Sequence, residues 1–233
     1  MNGKKKNAAD SQWVLNPSDF AFLWEECKRC FYLKVREGFR RPSMPMAKIF
    51  TVIDGEMKNC YSGKRTEKAM PFLPPGIVDS SVSWVQSKPI NVSGHDTACM
   101  IRGKIDTLVK FDDGSYAIID FKTSSPRAEH VQLYGRQLHA YALALEQAAV
   151  GHVNLSPIQR LGLLVYEPRE FANPTSSEAS LTGRLTWIPI ERNDRKFQGF
   201  IGEILEVLEK PSPPDAGECE WCQYREASRK NKF

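Results

Sequence analysis

Two short segments, Arg102-Gly103-Lys104-Ile105-Asp106 and Ile118-Ile119-Asp120-Phe121-Lys122, stand on either side of Asp112-Asp113-Gly114. They belong to apolar-rich runs from Met100 to Phe111 and from Tyr116 to Phe121. Asp-Gly between two such runs is a strong hairpin signal. A turn centred on Asp113 sets Asp106 opposite Asp120, and a turn centred half a residue later sets it opposite Phe121. In either register two carboxylates meet at one end of the hairpin. Alternate side chains of a strand share a face, so Asp120 and Lys122 point one way while Ile119 and Phe121 point the other. Like charges opposite each other weaken a sheet, and a cation between the carboxylates relieves the repulsion.

Two carboxylates with space for water and phosphate oxygens suit Mg²⁺ or Mn²⁺, since a hard ion of this kind retains several waters. Such an ion polarises a phosphoryl group and activates a water. Lys122 is then placed to steady the charge that develops on the phosphate or to position the attacking water. The same three residues also read as surface acids at a hairpin end with a lysine partner. Residues 129–149 read as an amphipathic helix with an apolar stripe of Leu138, Ala142, Leu145 and Ala149. Gln137 and Tyr141 flank that stripe one turn apart, so they share a face.

Elsewhere the pattern predicts a helix opening at Pro17-Ser18-Asp19, with Phe20, Leu23, Trp24, Cys27 and Phe31 at helical spacing. A second helix follows from about Ala47 to Asn59, and prolines mark residues 71–76 as a loop. Val82–Val85, Leu161–Tyr166 and Leu185–Ile190 read as strands, 172–183 as an exposed loop and Phe197–Leu208 as a helix. No repeat and no linker divides the chain. The expected organisation is a disordered tail over residues 1–16, one α/β domain over 17–228 and a short tail over 229–233.

Hydrophobic residues make up 41% of the 233, enough for a core and against wholesale disorder. The net charge of +4 permits a nucleic-acid partner without requiring one. No window offers the roughly 18 consecutive apolar residues of a membrane span. The polar start, with Lys4-Lys5-Lys6, lacks the apolar stretch of a signal peptide. A cytoplasmic protein is therefore expected, and the lysine run reads as solvated or as a weak phosphate contact.

The six cysteines fit a reducing compartment, where structural disulfides are disfavoured. Cys27 and Cys30 form one Cys-x-x-Cys pair and Cys219 and Cys222 another, while Cys60 and Cys99 read as isolated buried apolar residues. Two such pairs are a strong metal signal, and their spacing alone points to Zn²⁺ on four thiolates. An ion shared by both pairs would join the N- and C-terminal segments (17–41 and 211–228) and couple metal binding to folding.

The ordered set of Gly-x-Ile-Asp, Asp-x-Lys and Gln-x-x-x-Tyr resembles the RecB-like PD-(D/E)XK nucleases, which include helicase-linked recombination nucleases and the four-cysteine nucleases of CRISPR adaptation. The resemblance spans roughly residues 17–228. It implies a restriction-endonuclease-like fold, a central mixed sheet flanked by helices with a cysteine-bound metal region joining the two ends. It implies that Asp106, Asp120 and the backbone carbonyl of Phe121 bind metal, that Lys122 is catalytic, and that Gln137 and Tyr141 support the site and contact substrate. Many members carry a metal-binding His on the preceding helix. Here that helix has none, and Asp54 is the first candidate for its place with Glu56 second. The four histidines, His95, His130, His139 and His152, are expected to be non-ligands, although His139 has the option of facing the site. The related nucleases hold an iron–sulfur cluster on one N-terminal and three C-terminal cysteines. This chain has two and two, with Ser228 near the place of the last, so a 4Fe-4S cluster and Zn²⁺ both remain open.

By this resemblance the substrate is DNA, single-stranded or with free ends, cut more readily by exonuclease than by endonuclease action. The setting is DNA repair, recombination or CRISPR adaptation, with a helicase or a CRISPR adaptation protein as partner. Arg29, Lys34, Arg36, Arg40 and Arg41, interleaved with Phe31, Tyr32 and Phe39, read either as a phosphate- and base-binding surface or as a solvated helix face over core aromatics. Lys104, Arg127 and Arg136 are nearer the carboxylates in sequence and are the better candidates for phosphate contact. Two other functions stay open: a non-catalytic nucleic-acid-binding or assembly module on the same fold, and a zinc-stapled protein–protein adaptor.

Overall fold

A computed structural model describes residues 12–42, 47–82, 84–124, 128–214 and 217–230. The chain enters through β1 (Gln12–Leu15), a 3-10 turn at Pro17–Asp19, α1 (Leu23–Glu26), α2 (Lys28–Glu37), α3 (Lys48–Tyr61) and α4 (Thr66–Ala69). Five strands follow: β2 (Gly76–Asp79), β3 (Trp84–Gln86), β4 (Ala98–Lys104), β5 (Thr107–Phe111) and β6 (Tyr116–Thr123). The remainder is α5 (Ala128–Glu146), β7 (Ile158–Ala172), β8 (Ser180–Ile190), α6 (Asp194–Glu209) and α7 (Glu220–Lys230). The result is the expected mixed α/β architecture. A five-stranded sheet runs β2-β5-β6-β7-β8, and a three-stranded sheet runs β1-β4-β3.

β6 is the middle strand of the larger sheet. It is antiparallel to β5 and parallel to β7, and α5 makes the crossover that a parallel pair requires. Both faces of β6 are covered. Ile118 packs with Leu108, Leu138, Leu161 and Leu163 in the larger core cluster. Ala117, Ile119 and Phe121 pack with Met57, Met70, Val109 and Leu164 in a second cluster under α3. Such burial explains why the apolar run of β6 is nearly continuous rather than alternating.

Five expectations are corrected. The predicted strand from Met100 to Phe111 is two strands in different sheets: β4 ends at Lys104, β5 begins at Thr107, and the chain changes direction at Ile105-Asp106. Ile105 and Thr107, on either side of Asp106, are buried and continue the alternation of β4, so the hydrophobic pattern carries no mark of the bend. The predicted first helix is broken at Cys27, whose backbone is extended (φ −164°, ψ 107°). Cys27 instead caps α2, its sulfur accepting the Cys30 backbone N–H at 3.4 Å.

Residues 12–15 are not tail: β1 runs parallel to β4, Leu15 is fully buried, and the Trp13 indole donates to Thr97 Oγ1 at 3.0 Å. The exposed loop expected over 172–183 is shorter, because β7 and β8 continue as a two-stranded ribbon to the pair Ala172–Ser180. Backbone hydrogen bonds hold that ribbon where its side chains are largely exposed, so no apolar alternation announces it.

Helix α7 continues through Arg229 and Lys230, which were expected in the C-terminal tail. The Lys4-Lys5-Lys6 run, Ser83 and Arg127 lie outside the described residues. Among the described residues no helix is long and apolar enough to cross a membrane.

If β6 is the shared wall of two cores, Ile119→Ala should lower the unfolding free energy by ~2–5 kcal/mol, the usual cost of such a cavity. Urea denaturation checks this; a loss below ~1 kcal/mol would show that the cluster under α3 is not tightly built.

Candidate functional site

The β5–β6 register pairs Thr107 with Ile119 and Lys110 with Tyr116. This is the register of a turn centred on Asp113, and it brings Asp106, at the bend, beside Asp120. Asp106 Oδ2 accepts the Phe121 backbone N–H at 3.1 Å, and the two carboxyls share a hydrogen bond. Asp120 is only 4% exposed. Burial, reinforced by Asp106 and opposed by Lys122, pushes its pKa up to about 7. Burial acts the same way on Asp106, but its hydrogen bonds to Asp120 and Lys58 outweigh it and hold this carboxyl below its ordinary value.

Lys122 lies on the same face as Asp120, with Nζ 2.5 Å from Asp120 Oδ2. That ammonium is the ion-pair partner of Asp120 Oδ2, a buried oxygen with no other hydrogen-bond partner among the described residues. Burial pulls the Lys122 ammonium towards neutrality, and the charges of Asp120 and Asp106 more than reverse this. The ammonium also sits 4.6 Å from the centre of the Tyr134 ring. That ring is held edge-on by Phe22 at 5.4 Å. Tyr134 was not singled out in the sequence. The available signal was its spacing, since Tyr134, Gln137 and Tyr141 follow an i, i+3, i+7 pattern on one helix face.

Gln137 and Tyr141 are both buried, with Gln137 Nε2 donating to the Tyr141 hydroxyl at 3.2 Å. Burial raises the Tyr141 phenol, and the charges of Asp120 and Asp106 reinforce the shift. The Tyr141 ring explains the glycine of Gly-x-Ile-Asp. A Cβ on Gly103 would lie 2.8 Å from Pro17 Cδ and 3.1 Å from Tyr141 Cε1, so any side chain there would displace the turn after β1 or the ring itself.

From the other side, α3 presents Asp54 and, one turn later, Lys58. The Lys58 ammonium stands 2.8 Å from Asp54 Oδ2 and 2.8 Å from Asp106 Oδ1. Burial would lower its pKa, but the hydrogen bonds it donates to Asp106 and Asp54 raise it above the ordinary value. Glu56 is exposed, and at two residues' spacing it leaves Asp54's side of the helix. Of the two acids considered for this position, Asp54 is therefore the one that reaches the site, with Lys58 between it and Asp106. Lys58 was missed, although Asp-x-x-x-Lys is an ion-pair spacing that a helix makes readable.

His139 does not face the carboxylates. Its Nδ1 donates to Gly135 O at 2.7 Å and its Nε2 accepts the Asn193 backbone N–H at 2.8 Å, which wedges the ring against α6. Arg136 is turned the same way, paired with Glu25 and lying 4.4 Å from the Phe200 ring. Lys104 is exposed and paired in register with Trp84. Arg102 lies 5.8 Å from the Trp84 ring, and Trp84 is itself 56% exposed. This basic and aromatic face leads along β4 to Asp106, and the sequence reading had overlooked Trp84.

The cluster on α2 is largely committed elsewhere. Phe31 and Tyr32 are core residues. Arg29 pairs with Glu226, Lys34 with Asp19 and Arg41 with Glu26, while Arg36 donates to Leu208 O.

At the ends of the domain the four paired cysteines converge. Cys27 and Cys222 sulfurs are 3.8 Å apart, and Cys30 is 3.7 Å from both Cys219 and Cys222. All four are buried, and their sulfurs lie within 4.8 Å of one another, a set that could hold a metal ion. Cys99 is buried as expected, whereas Cys60 is exposed on α3.

The sequence model of the PD-(D/E)XK nuclease superfamily matches residues 65–227. That range includes Asp106, Asp120, Lys122, Gln137 and Tyr141; α3 and the first cysteine pair precede it. No curated protein matches the chain in sequence. The crystal structure of SSO0001 is similar in fold, with a TM-score of 0.52 at 15% identity over 94% of this chain and 85% of that one.

Lys58 occupies the place a cation would take between Asp54 and Asp106. Lys58→Met should therefore tighten Mn²⁺ binding roughly tenfold, because hydrogen bonds to charged groups are worth about 1.5–3 kcal/mol. Titration calorimetry checks this, and weaker binding by the variant would show that Lys58 supports the ion instead of competing with it.

Proposed function

The chain belongs to the PD-(D/E)XK nuclease superfamily, and from that premise we propose that it is a metal-dependent deoxyribonuclease that hydrolyses phosphodiester bonds. The observation that carries the reading is the gathering of Asp106, Asp120 and Lys122, with a buried Asp120 oxygen whose partner is the Lys122 ammonium. Two carboxyls brought together out of water are costly unless positive charge compensates both. Asp106, Asp120 and the backbone carbonyl of Phe121, with Asp54 beside them, are suited to hold Mg²⁺ or Mn²⁺. When bound, such an ion supplies Lewis-acid polarisation of the scissile phosphate and a more acidic water.

The chain's own groups do the rest. Lys122 keeps its charge despite burial because Asp120 and Asp106 surround it, so it can stabilise negative charge developing on the phosphate without first acquiring a proton. Tyr134 limits where the ammonium can swing. Gln137 and Tyr141 lock one another and keep α5 packed against Gly103, which holds the bend carrying Asp106.

Single-stranded ends or flaps are the proposed substrate class, with exonuclease favoured over endonuclease action. Trp84, Arg102 and Lys104 support this, since an exposed aromatic beside basic residues suits unpaired bases and their phosphates. A role in repair, recombination or CRISPR adaptation, alongside a helicase or an adaptation protein, is the proposed setting.

A second reading has one observation in its favour. Lys58 already neutralises Asp54 and Asp106, as it would in a non-catalytic nucleic-acid-binding module built on this fold.

Cleavage of end-labelled single- and double-stranded DNA in Mg²⁺ or Mn²⁺ separates the two. Lys122→Ala should slow cleavage by roughly 10²–10³-fold, the scale for losing one preorganised charge-stabilising group. Salt-sensitive DNA binding without cleavage by the wild type would favour the binding module.

A further inference from the structure

The cysteine quartet supports a statement that goes beyond the nuclease reading and does not depend on it. We infer that the four cysteines hold a single zinc ion in a closed tetrahedral site, and not an iron–sulfur cluster.

The spacing of the sulfurs decides between the two. A zinc–sulfur bond of ~2.3 Å sets the edge of a regular tetrahedron of thiolates at ~3.8 Å. Three of the sulfur pairs are 3.7, 3.7 and 3.8 Å apart, and no pair exceeds 4.8 Å. In a four-iron cluster each thiolate binds a different iron. The sulfurs must then stand apart by the width of the metal core as well as by the metal–sulfur bonds. Sulfurs this close to mutual contact leave no volume for four irons and four sulfides, but they surround one ion.

The backbone around the two pairs is built alike. The Cys27 sulfur accepts the Cys30 N–H, and the Cys219 sulfur accepts the Cys222 N–H. Each pair is thus a short knuckle that turns both of its sulfurs to one point. The break at Cys27 is what allows this, because a cysteine continuing the helix could not both cap α2 and face its partner three residues on.

Charge is matched as well. One divalent cation on four thiolates leaves two negative charges. Two guanidiniums answer them: Arg225 Nη2 stands 3.6 Å from both Cys30 and Cys222 sulfurs, and Arg41 Nη2 stands 3.4 Å from the Cys219 sulfur. Donors to the ligand sulfurs are the expected supporting contacts of a metal–thiolate centre.

All four ligands come from the protein and all are buried, so the position is closed to water and substrate, as in structural zinc sites. A lone iron would fit the same tetrahedron, but a given site binds Zn²⁺ more tightly than Fe²⁺. Loading converts the four thiols to thiolates with their protons released to solvent.

The test is metal analysis of the full chain, made with both iron and zinc supplied and purified without oxygen. Close to one zinc per chain is expected, with no acid-labile sulfide, no visible absorbance, and a zinc X-ray absorption spectrum of four sulfurs at ~2.3 Å. That sulfur shell separates this ion from any zinc adventitiously bound by carboxylates. Iron with stoichiometric sulfide, a lone iron, or folded protein with neither metal would each overturn the assignment. Cys30→Ser should lose the zinc while Cys60→Ser, outside the quartet, keeps it. Should Cys30→Ser fail to fold, the wild-type metal content and spectrum still decide. None of these readouts requires DNA cleavage, so the zinc site and the nuclease reading can fail separately.

Discussion

A carboxylate removed from water is the constraint around which this domain is arranged. Asp120 lies on the middle strand of the larger sheet, on the face shared with Ile118, and almost none of it reaches solvent. Burying an ionised carboxylate is expensive unless charge and hydrogen bonds compensate it. Here the compensation is partial. Lys122 supplies an ion pair, Asp106 adds a like charge, and the carboxyl is left far above its ordinary pKa. A site that is incomplete in this way is poised to accept a divalent cation, and strained electrostatics of this kind are typical where function rather than stability selects the residues.

The surrounding fold keeps that carboxylate where it is. The sheet places Asp106 at the bend between β4 and β5, where the chain passes from the smaller sheet to the larger. β1 holds β4 in place, and Pro17, just after β1, closes on Gly103 together with the Tyr141 ring. The N-terminal segment therefore reaches the site through β4 while its cysteines reach the C-terminal helix through the sulfur cluster. Cys27 and Cys222 are 195 residues apart in sequence. A metal joining them would restrict the unfolded chain strongly and hold the strand that leads to Asp106 against loosening of the ends.

Charge around the carboxylates is closely balanced. Lys58 and Lys122 approach from opposite sides, one from α3 and one from β6. The two lysines sit differently. Lys122 is enclosed by Asp120 and the Tyr134 ring. Lys58 is anchored by Asp54 and Asp106, on a helix whose outer residues Ile49, Phe50 and Val52 are exposed. The first arrangement resembles a fixed reactive group, the second a counter-ion that can leave.

The chain's linear pattern was enough to determine the hairpin about Asp113, the pairing of Asp106 with Asp120 as one of two registers, the shared face of Asp120 and Lys122, the Gln137–Tyr141 pair and the meeting of the cysteines. Each follows from a local rule: a turn residue, a strand period of two, a helical turn, or a repeated Cys-x-x-Cys. The change of sheet at Ile105-Asp106, the parallel docking of β1, the extended backbone at Cys27, the place of Lys58 between two acids and of Tyr134 beneath Lys122 were decided only by the tertiary structure. The reason is physical. A bend between two buried strands leaves the apolar pattern unbroken, and a contact between distant segments depends on packing that no local periodicity encodes. Local spacing could therefore nominate the reactive residues, while the three-dimensional packing determined which of them are buried, which are paired, and how far apart the sulfurs lie.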